Sequence, residues 1–360
     1  MKKTKFYSIH EKLGARIVEF AGFYMPIQYS SIIAEHKAVR SAVGVFDVSH
    51  MGEIFVRGKN ALDFVQHITI NDASILKNGR VQYSAMCYPD GGIVDDLLVY
   101  KLNDDEFMFV VNASNKDKDY QWMISNNIFD VEITDESDDY SLLAVQGPKS
   151  KDVIQKICDR PLDLEYYHFF FAKVAGVNMI VSRTGYTGEL GFELYFKGDE
   201  NTATKVWNEL FEAGKYENIT PAGLGARDSL RLEMGYCLYG NDINETTNPL
   251  EANLGWITKL KKNSFIGKES LLKIKEEGLK RKLVPLISEE KAFPRHGYDL
   301  VADGKKVGEI TSGTVSPILE KAIALGYVSI DYAKEGTQIN FLIRGKEIPA
   351  YITKLPFVKN

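Results

Sequence analysis

The sequence predicts an α+β protein of more than one domain, with mainly antiparallel sheets and flanking helices. Its 360 residues are too many for one ordinary hydrophobic core, so two or three domains are expected. Helix and strand patterns are mixed until about residue 282, after which strand patterns predominate. A terminal run of short strands separated by turns is typical of a small antiparallel domain, such as a β-barrel or a jelly-roll-like unit.

Each element is predicted from its own periodicity and from the turn residues beside it. Helices are predicted at 31–40, 60–68, 115–125, 149–157 and 268–277, and the Gly-rich turn at 221–225 leads into another. Strands are predicted at 45–56, 81–87, 93–102, 107–112, 131–134, 141–146 and 177–182. In the C-terminal region they are predicted at 283–287, 298–302, 306–311, 322–328, 338–343 and 348–354.

Composition excludes several classes of function. Hydrophobic residues make up 44% of the chain and charged residues 26%, which is ordinary for a globular protein. The formal net charge of −5 argues against non-specific nucleic-acid binding. The three cysteines are far apart and lack a C-x-x-C spacing, and no long apolar segment occurs. We therefore expect a cytoplasmic protein without disulfides, without a metal site and without a membrane span.

Chemistry is expected near the hairpin formed by the strands at 81–87 and 93–102. Its turn, Pro89-Asp90-Gly91-Gly92, combines a fixed φ with two residues that tolerate positive φ. Because side chains alternate along a strand, Asp96 shares one face with Tyr100, and Asp95 lies on the opposite face. One carboxylate is then placed among apolar and aromatic side chains, where a bound ligand could compensate it. The alternative is that both are solvated acids close to a turn.

Other motifs leave two interpretations open. Neither a G-x-x-x-x-G-K-[ST] nor a G-x-G-x-x-G motif is present, so no nucleotide site is predicted, and no histidine pair has metal-ligand spacing. Arg227 could form a structural ion pair with Asp228 or Glu233, or it could clamp a carboxylate or planar heterocycle. Glu193 alternates with apolar residues, so its side chain points either into a cavity or to water.

Five motifs, in order, carry a resemblance to a known family. They are FDVSHMG at 46–52, GGIVDD at 91–96, SRTGYTGE at 182–189, GLGARD at 223–228 and GEITSG at 308–313. Together they closely resemble the T-proteins of the glycine cleavage system, the tetrahydrofolate-dependent aminomethyltransferases. The resemblance extends from residue 20 to residue 357, almost the whole chain.

This resemblance implies a three-domain cloverleaf with folate in its central hole. The first domain would comprise 1–52 with 141–243, and the second, carrying Asp96, would comprise 53–140 with 244–278. The third would be the antiparallel unit at 279–360. The implied reaction transfers the aminomethyl carbon from a lipoylated H-protein to tetrahydrofolate, and gives 5,10-methylenetetrahydrofolate, ammonia and dihydrolipoyl H-protein.

The resemblance also implies roles for individual residues. Asp96 would be the catalytic carboxylate at the pterin, and Glu193 and Arg227 would contact the pterin edges. Further residues would line the cavity, namely Met51, Tyr83, Tyr100, Asn112, Tyr167 and Tyr186. Arg295 would face the folate tail or the entrance for the lipoyl arm. No metal and no nucleotide are implied.

Two alternatives remain within this resemblance. The chain could be another folate-dependent demethylase or one-carbon transferase, or a folate-binding protein without catalysis. The presence of Asp96 with Glu193 and Arg227 argues against the second. The lysines between 259 and 282, notably Lys261, Lys262 and Lys268, are expected to form an exposed basic surface that attracts an acidic carrier protein.

Overall fold

A computed structural model describes residues 1–359, in which helices and strands are mixed along the chain. The helices are α1 (Tyr7–Lys12), α2 (Ile32–Ser41), α3 (Ala61–Ile68), α4 (Lys116–Ser125), α5 (Ser150–Gln155), α6 (Glu200–Ala213), α7 (Leu224–Met234) and α8 (Lys268–Glu277). The strands up to the start of α7 are β1 (Lys2–Lys3), β2 (Arg16–Phe20), β3 (Phe23–Gln28), β4 (Val43–Asp47), β5 (Gly52–Arg57), β6 (Arg80–Cys87), β7 (Ile93–Asn103), β8 (Glu106–Val111), β9 (Glu132–Asp135), β10 (Tyr140–Gln146), β11 (Phe169–Val174), β12 (Val177–Ser182), β13 (Gly191–Lys197) and β14 (Ile219–Pro221). The remaining strands are β15 (Arg281–Ser288), β16 (Asp299–Ala302), β17 (Lys305–Val315), β18 (Ala322–Ser329), β19 (Gln338–Ile343) and β20 (Lys346–Ile352).

The chain divides into two compact units. The first comprises residues 1–65, 73–83 and 97–228, and the second comprises 66–72, 84–96 and 229–360. The first unit contains a sheet in the order β11-β12-β13-β10-β4-β14, in which only the β14–β4 pairing is parallel. Apolar side chains from this sheet and from α6, such as Val145, Leu194 and Trp207, form its buried core.

A second sheet, ordered β6-β7-β8-β5-β9, contains the predicted hairpin. At the turn, the Tyr88 amide donates to the Gly92 carbonyl at 2.8 Å, and the Gly91 amide donates to the Tyr88 carbonyl at 2.9 Å. Gly91 has a φ of +92°, a conformation that a residue with a Cβ rarely adopts. The hairpin predicted from Pro89-Asp90-Gly91-Gly92 is therefore confirmed.

The second unit ends in a closed barrel with the strand order β15-β18-β17-β16-β19-β20. Its interior is filled by apolar side chains, among them Leu286, Ile310 and Phe341. The α+β class, the mainly antiparallel sheets and the C-terminal barrel are thus confirmed. The division into domains at 1–52 with 141–243, at 53–140 with 244–278 and at 279–360 stays a prediction.

One predicted strand is wrong in extent. The stretch 45–56 was expected to be continuous, but the structure has β4 and β5 separated by a turn at 48–51. The Asp47 carboxylate accepts a hydrogen bond from the Ser49 amide at 2.9 Å, and the Met51 amide donates to the Val48 carbonyl at 3.1 Å. This local side-chain bond turns the backbone where alternation alone would continue the strand.

The prediction that Lys262 belongs to an exposed basic surface is wrong. This side chain is buried, and its ammonium group donates to the carbonyls of Gln66, Thr69 and Asn71 at 2.7–2.8 Å. These acceptors lie at and just after the end of α3, where carbonyl groups lack partners within the helix. Lys262 therefore stabilises the segment that follows α3 and is not available to a partner protein.

We predict that Lys262→Met lowers the free energy of unfolding by about 2–4 kcal/mol, because it removes the group that donates to three carbonyls, two of them in buried residues. The methionine keeps most of the aliphatic volume, so the loss measures the hydrogen bonds rather than a cavity. Urea denaturation followed by circular dichroism measures the change.

The matched control is Lys261→Met, one residue away on an exposed position. It should change the free energy of unfolding by no more than about 0.5 kcal/mol. Equal destabilisation of the two variants would show that the hydrogen bonds of Lys262 do not stabilise the segment that follows α3.

Candidate functional site

A polar cluster lies on one face of β13, within the first unit. Glu193 and Tyr195 project from this face and are 8% and 1% exposed. The Tyr195 hydroxyl donates to the Glu193 carboxylate at 3.2 Å, and Thr184 donates to the same oxygen. Tyr100, which has no exposed surface, places its hydroxyl 3.0 Å from the Tyr195 hydroxyl. The cluster thus holds one carboxylate in the interior with hydroxyl groups around it.

The charge on Glu193 is only partly compensated. Burial raises the pKa of this carboxyl group, while Thr184, the positive charge of Arg227 and Tyr195 oppose the rise without cancelling it. Arg227 is placed by the first turn of α7, and its guanidinium carbon lies 4.7 Å from the ring centroid of Tyr186. Glu193, Arg227 and Tyr186 therefore offer an acceptor, a planar set of donors and an aromatic face.

Two buried groups in the same unit were not found by sequence reasoning. Nδ1 of His50 and Oε1 of Glu53 have no hydrogen-bond partner among residues 1–359. Burial and then the charge of Arg227 lower the pKa of His50 to about 4, so its ring is neutral at neutral pH. The pKa of Glu53 is raised well above its usual range, first by burial and then by Asp135 and Glu193. Only the position of His50 beside Met51, in the motif at 46–52, could have indicated one of them.

Met51 lies in the turn between β4 and β5 and is partly exposed. With His50, Ser49 and Tyr140 it lines a cavity of about 280 Å³ in the first unit. The turn at 48–51, which sequence alternation did not predict, therefore determines where the Met51 side chain lies.

Asp96 belongs to the second unit. Along β7 the Asp95 side chain is fully buried and Asp96 is partly exposed, as expected for neighbours on opposite faces of a strand. Burial, then the charges of Asp242 and Asp96, raise the pKa of the Cys237 thiol well above its usual range, so the thiol is neutral. The carboxylate of Asp96 is itself partly shielded from water, in a partly dry environment.

The remaining candidates are spread over both units. Tyr83 on β6, Asn112 after β8 and Tyr167 before β11 are partly exposed in the first unit. Tyr167 has a φ of +60°, an uncommon conformation for a residue with a Cβ. Arg295, in the second unit, is exposed and donates to the Gly313 carbonyl at 3.4 Å. The structure thus links Tyr100 to Glu193 through the Tyr195 hydroxyl, and it places Arg227 against Tyr186.

Over residues 1–359, no three histidine, cysteine, aspartate or glutamate side chains are grouped so as to hold a metal ion. Over the same residues, no helix has the length and apolar character needed to cross a membrane.

Family membership follows from comparison with known proteins. Residues 6–262 match the family model of the GCVT N-terminal domain, and residues 281–359 match that of the glycine cleavage T-protein C-terminal barrel domain. The chain therefore belongs to the glycine cleavage T-protein family.

Relatives match the chain over its full length. A protein of Halothermothrix orenii named aminomethyltransferase is 53% identical over 359 residues, which cover 99% of this chain and 100% of the relative. Another of Flavobacterium psychrophilum is 51% identical, with 100% of both chains covered. The crystal structure of glycine cleavage system aminomethyltransferase T from Bartonella henselae has a TM-score of 0.93 and 34% identity, covering 99% of this chain and 98% of that one.

We predict that the free energy of unfolding of Glu193→Gln, relative to that of the wild type, is higher at neutral pH than at acidic pH. The pKa of Glu193 is higher in the folded than in the unfolded chain, so the wild type loses stability as pH rises from about 4.5 through the folded-state pKa. Glutamine does not titrate and lacks this loss. Denaturation at pH 5 and pH 7.5 should show the variant gaining on the wild type at the higher pH.

The control is Glu209→Gln, on an exposed position of α6. Its unfolding free energy should stay within about 0.5 kcal/mol of the wild type at both pH values. A Glu193→Gln difference that is the same at pH 5 and pH 7.5 would show that the carboxyl group does not titrate as described.

Proposed function

We propose that the chain is the aminomethyltransferase of a glycine cleavage system. The aminomethyl carbon leaves a dihydrolipoyl sulfur on H-protein, the carbon–sulfur bond breaks, and the carbon is bonded to N5 of tetrahydrofolate. Its nitrogen leaves as ammonia while N10 forms the second bond to the carbon, and the protons released from N5 and N10 go to the sulfur and the departing nitrogen. The products are 5,10-methylenetetrahydrofolate, ammonia and dihydrolipoyl H-protein. Full-length similarity to proteins named aminomethyltransferase supports this function. The observation in the structure that carries it is the buried carboxylate of Glu193, which accepts from Thr184 and Tyr195, in the same unit as the Arg227–Tyr186 contact.

The polar cluster of the first unit fits the pterin of a folate. A pterin is flat and carries ring and amino N–H donors on one edge and ring acceptors on others. Glu193 can accept from the donors, Arg227 can donate to the acceptors, and Tyr186 adds an aromatic face. The unpartnered polar atoms of His50 and Glu53 leave further hydrogen-bonding capacity in the same unit. The proposed wall residues are Met51, Tyr83, Asn112 and Tyr167. Tyr100 has no exposed surface and is instead proposed to hold Tyr195 in place beside Glu193.

Asp96 is proposed as the catalytic carboxylate. The carbon in transfer becomes iminium-like, so positive charge develops on it and on the nitrogens beside it. A carboxylate fixed in a partly dry environment stabilises such charge more strongly than one in water, and it can also take a proton. Asp95 has the fully buried, structural position on the other face of β7. Arg295 is proposed to face the folate tail or the lipoyl entrance.

The proposed partner is a lipoylated H-protein, and the proposed compartment is the cytoplasm. The deciding assay supplies aminomethyl-lipoyl H-protein and tetrahydrofolate and follows the formation of methylenetetrahydrofolate and ammonia. Turnover with another methyl donor, but not with H-protein, would identify a different folate-dependent demethylase. Folate binding without turnover of any donor would identify a binding protein.

We predict that Asp96→Asn lowers kcat by about a hundredfold or more, because the amide cannot stabilise developing positive charge or accept a proton. Affinity for tetrahydrofolate should change far less. The measurement is steady-state turnover with saturating H-protein, together with the unfolding free energy to show that the fold is kept.

Asp95→Asn is the matched control, because it changes the neighbouring carboxyl group in the same way. It should affect stability more than turnover, since the Asp95 side chain has no exposed surface. The assignment is wrong if turnover falls equally in both variants, or falls further in Asp95→Asn.

We predict that Arg227→Ala weakens tetrahydrofolate binding by about 2–5 kcal/mol, the usual cost of truncating one partner of a buried charged contact. Isothermal titration calorimetry measures the affinity, and thermal denaturation in the absence of folate measures stability. Arg57→Ala is the control, because Arg57 lies in the same unit and pairs with Glu106 and Glu136 at 2.8 and 2.7 Å.

Arg57→Ala should lower the melting temperature and leave the folate affinity within about twofold of the wild type. If Arg227→Ala behaves in the same way, the structural interpretation of Arg227 is the correct one.

A further inference from the structure

A buried ion pair in the second unit has no role in the reaction as described. Arg231 on α7 donates to the Asp242 carboxylate at 2.7 Å, and the two side chains are 2% and 0% exposed. The same carboxylate accepts from the Leu238 amide at 2.9 Å, from Ser312 at 2.9 Å and from Thr311 at 2.5 Å. Both oxygens of the Asp242 carboxylate therefore accept hydrogen bonds.

These contacts join three parts of the second unit. Arg231 belongs to α7, Thr311 and Ser312 belong to barrel strand β17, and Asp242 belongs to the loop after α7. Arg231 also donates to the Tyr236 carbonyl at 3.0 Å and to Ser312 at 2.8 Å. The Asp242 carbonyl accepts from the Tyr327 hydroxyl of β18 at 2.9 Å. The loop is thereby fixed to the helix and to the barrel at several points.

The same loop holds the beginning of β7. The Tyr239 hydroxyl donates to the Ile93 carbonyl at 3.0 Å, and the Ile93 amide donates to the Thr247 carbonyl at 3.0 Å. A Cβ on Gly92 would lie 2.1 Å from the Glu245 carbonyl oxygen, so the backbones are in close contact. Ile93 is three residues before Asp96 on the same strand. Segment 236–247, which we call the clasp, therefore contacts the start of β7 at Gly92 and at both the amide and the carbonyl of Ile93.

We propose that Asp242 and Tyr239 are positioning residues for Asp96. Asp242 fixes the clasp to α7 and the barrel, and Tyr239 transmits this position to the strand that carries Asp96. The inference rests on the proposed function of Asp96 as the catalytic carboxylate. Neither residue is proposed to touch a substrate. A carboxylate that stabilises developing charge must stay in place, since a displacement of about 1 Å can cost a hundredfold in rate.

Tyr239→Phe is the test variant, because it removes one hydroxyl and keeps the ring. We expect kcat to fall about tenfold, while the KM values for tetrahydrofolate and H-protein stay within twofold. Asp242→Asn should act in the same direction and more strongly, but it can also impair folding. The control is Ser288→Ala, which removes the hydrogen bonds of the Ser288 hydroxyl to the Pro349 carbonyl and from the Glu290 amide, both outside the clasp. It should lower stability and leave kcat unchanged.

A double-mutant cycle with Asp96→Asn separates the two proposals. If Tyr239 acts through Asp96, then Tyr239→Phe should reduce turnover by less than twofold in the Asp96→Asn background. A full tenfold loss in that background, or a loss that appears in KM instead of kcat, overturns the positioning role. Unchanged turnover in Asp96→Asn itself overturns the catalytic assignment, which is a different result.

Hydrogen exchange supplies a readout that does not depend on activity. In Tyr239→Phe, the amides of residues 91–98 should exchange faster than in the wild type, whereas those of β19 and β20 should not change. In Ser288→Ala, residues 91–98 should keep the wild-type rate. Equal exchange at 91–98 in Tyr239→Phe and the wild type would show that the clasp does not hold this strand.

Discussion

The burial of a carboxylate on β13 is the constraint on which the first unit depends. Phe192, Leu194 and Phe196 on this strand belong to the apolar core, while Glu193 and Tyr195 project from the opposite face, which is also buried. A strand covered on both faces would ordinarily be apolar on both. Placing an acid there is unfavourable unless it receives hydrogen bonds, and the hydroxyls of Thr184 and Tyr195 supply only some of them. The sheet therefore keeps a buried acid that folding alone would not select.

The structure treats its buried acids in two different ways. Asp242 receives an arginine, two hydroxyls and an amide, and Asp47 is bonded to His10, Thr4 and the Ser49 amide. Burial alone would raise the pKa of Asp47, but these partners lower it overall. Glu193 and Glu53 have raised pKa values because their partners do not offset burial. Acids of the first kind fix backbone segments, whereas a raised pKa of the second kind is typical of functional sites.

Much of this organisation could be predicted from sequence where a local pattern determines the structure. The hairpin at 81–102, the helix that begins near Arg227 and the barrel strands all follow from periodicity and turn residues, and the structure confirms them. The break after Asp47 could not be predicted, because it depends on a side-chain bond to one amide. Lys262 lies in a lysine-rich stretch, a pattern that predicts a solvated surface, yet its side chain is buried and donates to three carbonyls distant in sequence. Glu53 gave no signal at all, since its environment is made by residues far along the chain.

The hydrogen bonds around Asp242 meet a physical requirement of the proposed chemistry. Charge stabilisation in a transition state is effective when the charged group is already in place and need not reorganise. Asp96 lies only three residues after the start of β7. This end of the strand would fray if its backbone were held by the hairpin turn alone. The clasp adds hydrogen bonds at Ile93, and Asp242 fixes the clasp at the cost of burying an ion pair. Burying these polar groups lowers stability, but it holds the backbone that carries the proposed catalytic carboxylate in one position.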